Sequence, residues 1–149
     1  MKPRDYKFGF NLSALILIVI ILLPNIIWGF VPAQNDILRA DSKTEILDIF
    51  ATVFQVMLLA ALCILQNKGA KTLRLSPFLI ICAVTCVLYC ICWILYYCAV
   101  VHITVIIGLC VFPCISFAFF AIDRKNYAAL IPIVIFTILH FTSTAINFF

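Results

Sequence analysis

Long apolar runs separated by short polar connections dominate the chain. Five stretches supply about 20 mostly apolar residues each, the length needed to cross a hydrocarbon core of roughly 30 Å: 12–31, 46–65, 77–100, 103–122 and 127–149. Each is expected to be helical, because an isolated strand would leave its backbone amides unpaired in lipid. The pattern predicts an all-α fold class, a polytopic membrane protein forming one transmembrane domain over 1–149, with five helices in a bundle. Helix-start signals agree. Ser42 and Glu45 have the spacing of a capping box, and Ser76-Pro77 offers an N-cap followed by proline at the first helical position. Pro24, Pro113 and Pro132 fall inside spans, where each removes a backbone hydrogen bond and is expected to kink the helix or require local re-pairing.

The polar residues inside the spans are few and ordered. In the second span Glu45, Asp48, Thr52 and Gln55 recur at helical spacing and share a face. Thr137, His140, Thr144 and Asn147 do the same in the fifth. At about 1.5 Å per residue, Gln55 and His140 lie near mid-depth, with Asp48 and Thr144 nearer one surface. Asn25, beside Pro24 in the first span, falls at a depth similar to His140. Ionisable residues within a membrane are costly and face protein or water. Asn25, Asp48, Thr52, Gln55, His140 and Thr144 are therefore the candidate lining of a polar pocket between the first, second and fifth helices, where Asp48 or His140 would bind a solute or exchange a proton. The competing reading is that the two stripes meet and hydrogen-bond as interhelical glue, at about 0.6 kcal/mol per contact. The other halves of both spans lack polar stripes, so no continuous aqueous pore is expected.

Charge sets an orientation. With the N-terminus inside, cytoplasmic segments hold Lys2, Arg4, Lys7, Lys68, Lys71, Arg74, Arg124 and Lys125, and the outer segments hold Arg39 and Lys43. Eight against two, agreeing at every loop, is a positive-inside bias that leaves the C-terminus outside. Trp28, Trp93, Tyr96 and Tyr97 then come near the outer boundary, and Tyr6 and Tyr127 near the inner one, depths that amphipathic rings favour. A rival reading makes the first span a cleaved signal peptide ending near Val31-Pro32-Ala33. The run is long for one, and Trp28 and Phe30 are bulky near that site, so a retained helix is expected.

Composition sharpens the class. The chain is 66% hydrophobic and 11% charged, against roughly 45–50% apolar and about 25% charged in soluble domains. In 149 residues that excess has no water-soluble core to fill. The net charge of +4 sits in membrane-flanking clusters, which excludes a nucleic-acid surface. The lipid bilayer is the expected partner, together with a membrane-protein partner or a homo-oligomer. Seven of the eight cysteines lie in apolar runs. Cys82, Cys86 and Cys90 descend the third span at four-residue steps, and Cys110 and Cys114 the fourth. Thiolates so placed would suit a thiophilic metal, but no neighbouring cation lowers their pKa. They are read as small packing residues. Cys98 and His102, four apart, are read as an ordinary helix end. No cofactor or metal is expected. No phosphate-binding glycine loop, His-Glu-x-x-His helix or Gly-x-Ser-x-Gly elbow occurs, and Glu45 is the only glutamate. A non-enzymatic protein follows.

Pro24-Asn25-Ile26-Ile27-Trp28, with Pro32 and Asn35 beyond it, and Ile131-Pro132 followed by Phe136 and His140, resemble the corresponding stretches of small uncharacterised bacterial multi-pass membrane proteins. The resemblance implies a compact multi-helix bundle in a bacterial cytoplasmic (inner) membrane and carries over no functional residue. The expected function is binding without catalysis, as an accessory subunit or a small immunity or stress protein. The alternative is a small transporter or solute-binding protein using the polar pocket. A thiol-based metal or redox protein using Cys82, Cys86, Cys110 and Cys114 stands third.

Overall fold

A computed structural model describes residues 5–70 and 74–148. Five helices carry the fold: α1 (Leu12–Phe30), α2 (Glu45–Ile64), α3 (Pro77–Tyr97), α4 (Ile103–Asp123) and α5 (Tyr127–Phe148). All five are long and apolar enough to cross a membrane. Lys2, Arg4 and Lys71, counted above for orientation, and Phe149, the predicted end of the last span, lie outside the described residues.

Successive helices run in alternating directions, as their end contacts show. At one end Asn126, just before α5, donates from Nδ2 to Ala61 O and Leu65 O at the end of α2. Ser76, which starts α3, hydrogen-bonds Asp123, which ends α4. This end carries Lys7, Lys68, Arg74, Arg124 and Lys125 and is called the basic end. At the opposite end the α1–α2 connection, including a 3-10 turn at Ile37–Arg39, packs on the end of α3.

Helix α4 is the centre of the bundle, with 61% of its apolar window buried against 17–33% for the other four. It packs against α3 on one side and α5 on the other, and α2 closes on α5. The α3–α4 seam is made close by small residues, as helix packing without a hydrophobic driving force requires. Gly108 has no side chain, and a Cβ there would stand 2.5 Å from Cys92 Sγ. Ser116 and Thr85 hydrogen-bond across the same seam at 2.8 Å, so two buried hydroxyls satisfy each other. Apolar side chains cover the perimeter instead: Ile46 is 71% exposed, and Ile20, Val56, Val87, Ile94 and Ile138 are exposed with it. An apolar surface of this extent marks contact with lipid or protein rather than water.

Several details differ from the sequence-based expectation. The capping box does not form. Thr44 is the N-cap of α2 without a side-chain cap bond, and the Ser42 hydroxyl turns to Asp48 instead. Helix α3 stops at Tyr97 rather than running to residue 100, because Ala99 takes a left-handed φ of 62° that ends the helix. Cys98 and His102 therefore share no helix face; His102 is the N-cap of α4, accepting from the Thr104 N–H. Ser76 caps α3 as expected, accepting from Leu79 N at 3.1 Å. The three prolines sit within unbroken helices. A short antiparallel ribbon was not foreseen. In it β1 (Tyr6–Phe8) pairs with β2 (Leu65–Asn67), with Lys7 opposite Gln66. Three-residue strands carry too little alternation to be read from sequence.

Gly108→Ala is expected to lower the stability of the detergent-solubilised protein by about 1–3 kcal/mol, the usual cost of overpacking. Adding Cys92→Ala should restore most of it. An unchanged melting midpoint for Gly108→Ala would show that α3 and α4 are not so closely apposed.

Candidate functional site

The α2 and α5 stripes meet because both helices turn their polar face into the bundle near the end opposite the basic one. Asp48 accepts hydrogen bonds from Ser42 Oγ and Ser143 Oγ, both at 2.5 Å. Asn147 donates to Thr44 Oγ1 at 2.8 Å and accepts from Lys43 N at 2.7 Å. Thr44 and Ser143 hydroxyls bond each other at 2.8 Å. This network is the glue of the α2–α5 seam. Ser143 was passed over in the sequence, although it stands three residues from His140 and completes the same helical face.

The rest of the two stripes is not consumed by glue. Two cavities, about 270 and 230 Å³, adjoin along it, and Asn25, Asp48, Leu109 and His140 line both. Thr144 lines the first, beneath the α1–α2 connection; Thr52 and Gln55 line the second. All six candidate residues thus border this space. Its walls include more than α1, α2 and α5, since α4 contributes Leu109 and Cys110 and α3 contributes Tyr89 and Trp93. Beyond Gln55 towards the basic end, the interior holds Leu58, Leu62 and Ile133, each no more than 1% exposed. That apolar plug closes the space on that side.

Individual groups differ in what they have left to offer. Asn25 Nδ2 donates to the Tyr89 hydroxyl at 2.6 Å and to Ile21 O at 3.1 Å. Thr52 and Thr137 return their hydroxyls to their own helices. The His140 ring stacks on Phe136, with centroids 5.1 Å apart, and lies within electrostatic reach of Asp48. Neither of its ring nitrogens bonds a described residue. Trp93 Nε1 is buried beside the Tyr89 hydroxyl, its nearest partner, and makes no other hydrogen bond among the described residues. Asp41 and Trp28 complete the mouth of the first cavity, and among the described residues no lysine or arginine lines either space.

The mouth is braced by Asp36, a residue to which the sequence pattern gave no weight because it lies in a connection without periodicity. Trp28 Nε1 donates to Asp36 at 2.8 Å, Arg39 Nε at 3.0 Å and the Tyr96 hydroxyl at 2.6 Å. The Arg39 guanidinium lies 5.0 Å from the Trp28 ring centroid. Trp93 packs edge-on against Tyr96 and tilted against Trp28. The aromatic residues expected near one boundary thus form a single cluster around one carboxylate.

The cysteine stripes do not converge. Cys82, Cys86 and Cys90 border a groove between α1 and α3, whereas Cys110 faces Thr144 and Cys114 faces Thr137 across the α4–α5 seam. Among the described residues no three His, Cys, Asp or Glu side chains come together as metal ligands. The Cys82–Cys90 stripe and the Cys110–Cys114 pair thus border different spaces. Compared with protein-family models, curated proteins and solved structures, the chain finds no match.

Burial pushes the Asp36 carboxyl up, but the hydrogen bonds from Tyr96, Trp28, the Ala33 backbone and Arg39 outweigh it and hold it below the ordinary 3.8. With a lowered folded-state pKa, its stabilisation is complete above the unfolded value and is lost as pH falls through the folded one. Acidification through and below the ordinary carboxylate range should therefore loosen the mouth. Tryptophan fluorescence should follow that change through Trp28, and Asp36→Asn should remove the transition. An identical transition in Asp36→Asn would assign it elsewhere.

Proposed function

We propose that the protein is a non-enzymatic, multi-pass membrane protein that binds a small organic cation in the polar space lined by all five helices. The basic end faces the cytoplasm, by the positive-inside bias, and the cavity opens to the other side. The observation that carries this reading is the lining: Asp41 and Asp48 are present with the Trp93 ring and with Trp28, which already holds the Arg39 guanidinium over its ring, and no described lysine or arginine lines the space. Carboxylates and aromatic faces suit an ammonium or guanidinium group. The His140 ring, which bonds no described residue, favours a cation that also carries a hydrogen-bonding group. The two cavities lie near the lower edge of ligand pockets, about 300–1,000 Å³, so the solute is small. One carboxylate held by two hydroxyls beside one imidazole is a sparse set for catalysis, which supports binding or transport over reaction. The apolar plug argues for a solute site closed on one side rather than a channel.

The bacterial inner membrane as location rests on the sequence resemblance alone. The accessory-subunit or immunity reading is kept as the second: the polar α2–α5 glue supports a bundle whose task is to present its perimeter to another membrane protein or to a second copy.

Melting of the purified protein in detergent with choline, ethanolamine or guanidinium tests the leading reading, with glycerol and acetate as neutral and anionic controls. A bound cation at 100 times its Kd should stabilise by about 2.7 kcal/mol. Asp48→Asn should abolish the effect and His140→Ala should weaken it. Stabilisation by glycerol or acetate equal to that by the cations would count against a cation site, as would cation effects that survive Asp48→Asn.

A further inference from the structure

The basic end holds a second polar cavity, of about 130 Å³, unrelated to the α2–α5 stripes. Lys7, Lys68 and Arg124 line it together with the amides of Asn11, Gln66 and Asn67, and no carboxylate is in its lining. The β1–β2 ribbon is what assembles it. Pairing Lys7 with Gln66 fixes the chain before α1 against the chain after α2, and Lys68 N donates to Asp5 O at 2.9 Å to extend that pairing. Asn67 Nδ2 ties the ribbon to Lys125 O at the α4–α5 turn, which brings Arg124 alongside.

Most amides here are already committed. Gln66 Nε2 donates to Phe10 O, and Asn126 Nδ2 to Ala61 O and Leu65 O. Two donors are left over. Asn11 uses its Oδ1 to cap α1, accepting from Ala14 N at 3.3 Å and from Ser13 Oγ at 2.7 Å, and its Nδ2 has no partner among the described residues. Arg124 Nε is buried with no acceptor among the described residues. Its guanidinium reaches Asp123 only at 3.8 Å, and Asp123 is itself held by Ser76. A buried guanidinium N–H without an acceptor is costly. It is resolved if an anion completes the site.

We propose that this cavity binds a phosphate group. Three cations converge on it with free N–H donors from Asn11 and Arg124, the combination of charge and donors that tetrahedral oxyanions need. At about 30 Å³ for each water's share of liquid volume, the space equals roughly four waters. That suits one phosphate group. The same chemistry is offered by inorganic phosphate and by the headgroup of an anionic phospholipid. This site is independent of the proposed cation site, lies at the other end of the bundle, and is tested separately.

The test uses the full-length protein in detergent. In one arm inorganic phosphate is titrated against chloride at equal ionic strength, with melting as the readout. In the other, phosphatidylglycerol is added and bound lipid is counted by native mass spectrometry. Lys7 is exposed, so Lys7→Gln should leave the fold intact, which its melting midpoint without ligand will check; Arg124→Gln is the second variant. Removing one cation should weaken binding about fivefold, the equivalent of about 1 kcal/mol per basic residue. Stabilisation by inorganic phosphate that weakens in Lys7→Gln supports a site for the free anion. Retention of one phosphatidylglycerol that is lost in Lys7→Gln, without a phosphate effect, supports a headgroup site. Binding of neither probe beyond the chloride control overturns the proposal. So does equal binding by the wild type and both variants.

Discussion

A carboxylate set among apolar helices must be hydrogen-bonded or neutralised, and Asp48 imposes that condition on the whole bundle. Its two acceptor bonds from Ser42 and Ser143 draw the start of α2, the connection before it and the last turns of α5 into one seam. With α5 fixed there, α4 is enclosed between α5 and α3, and its small residues allow the close approach at Gly108. Because Ser42 and Ser143 satisfy Asp48 from the seam side, His140 is left facing open space with no hydrogen bond to a described residue. One arrangement thus yields both glue and cavity.

These two outcomes were rival readings of the same stripes, and the geometry divides them by residue. Ser42, Thr44, Ser143 and Asn147 hold the seam, while Asn25, Gln55, His140 and Thr144 border the space without joining the seam network. Asp48, Ser42, Ser143 and Asn147 stand where the seam meets the first cavity. The division matters energetically. Seam bonds in a membrane contribute about 0.6 kcal/mol each, whereas a group left without a partner in a cavity is available to a ligand.

The five helices were legible because apolar runs of this length have few alternatives, and the stripes because side chains on one face recur every three to four residues. What the sequence hid was non-local or too short for periodicity. The β1–β2 ribbon joins residues 6–8 to 65–67 through backbone bonds that any side chains permit. Asp36 acquires three side-chain donors from residues up to 60 positions away. The cysteine steps were visible, but which neighbour each stripe faces depends on helix rotation, and rotation placed the α3 and α4 thiols in different seams. Ser42 matched a capping spacing, yet the stronger demand of the Asp48 carboxylate took its hydroxyl.

The cavity and the apolar plug together give water access to His140 from the side of the α1–α2 connection and not from the basic end. Labelling of His140→Cys, in a Cys98→Ser background, by a membrane-impermeant thiol reagent in sealed vesicles of each orientation tests it directly. Modification is expected only when the reagent meets the α1–α2 side, with little reaction of the parent protein under the same conditions. No modification from either side of intact vesicles, or modification from the basic side, would contradict it.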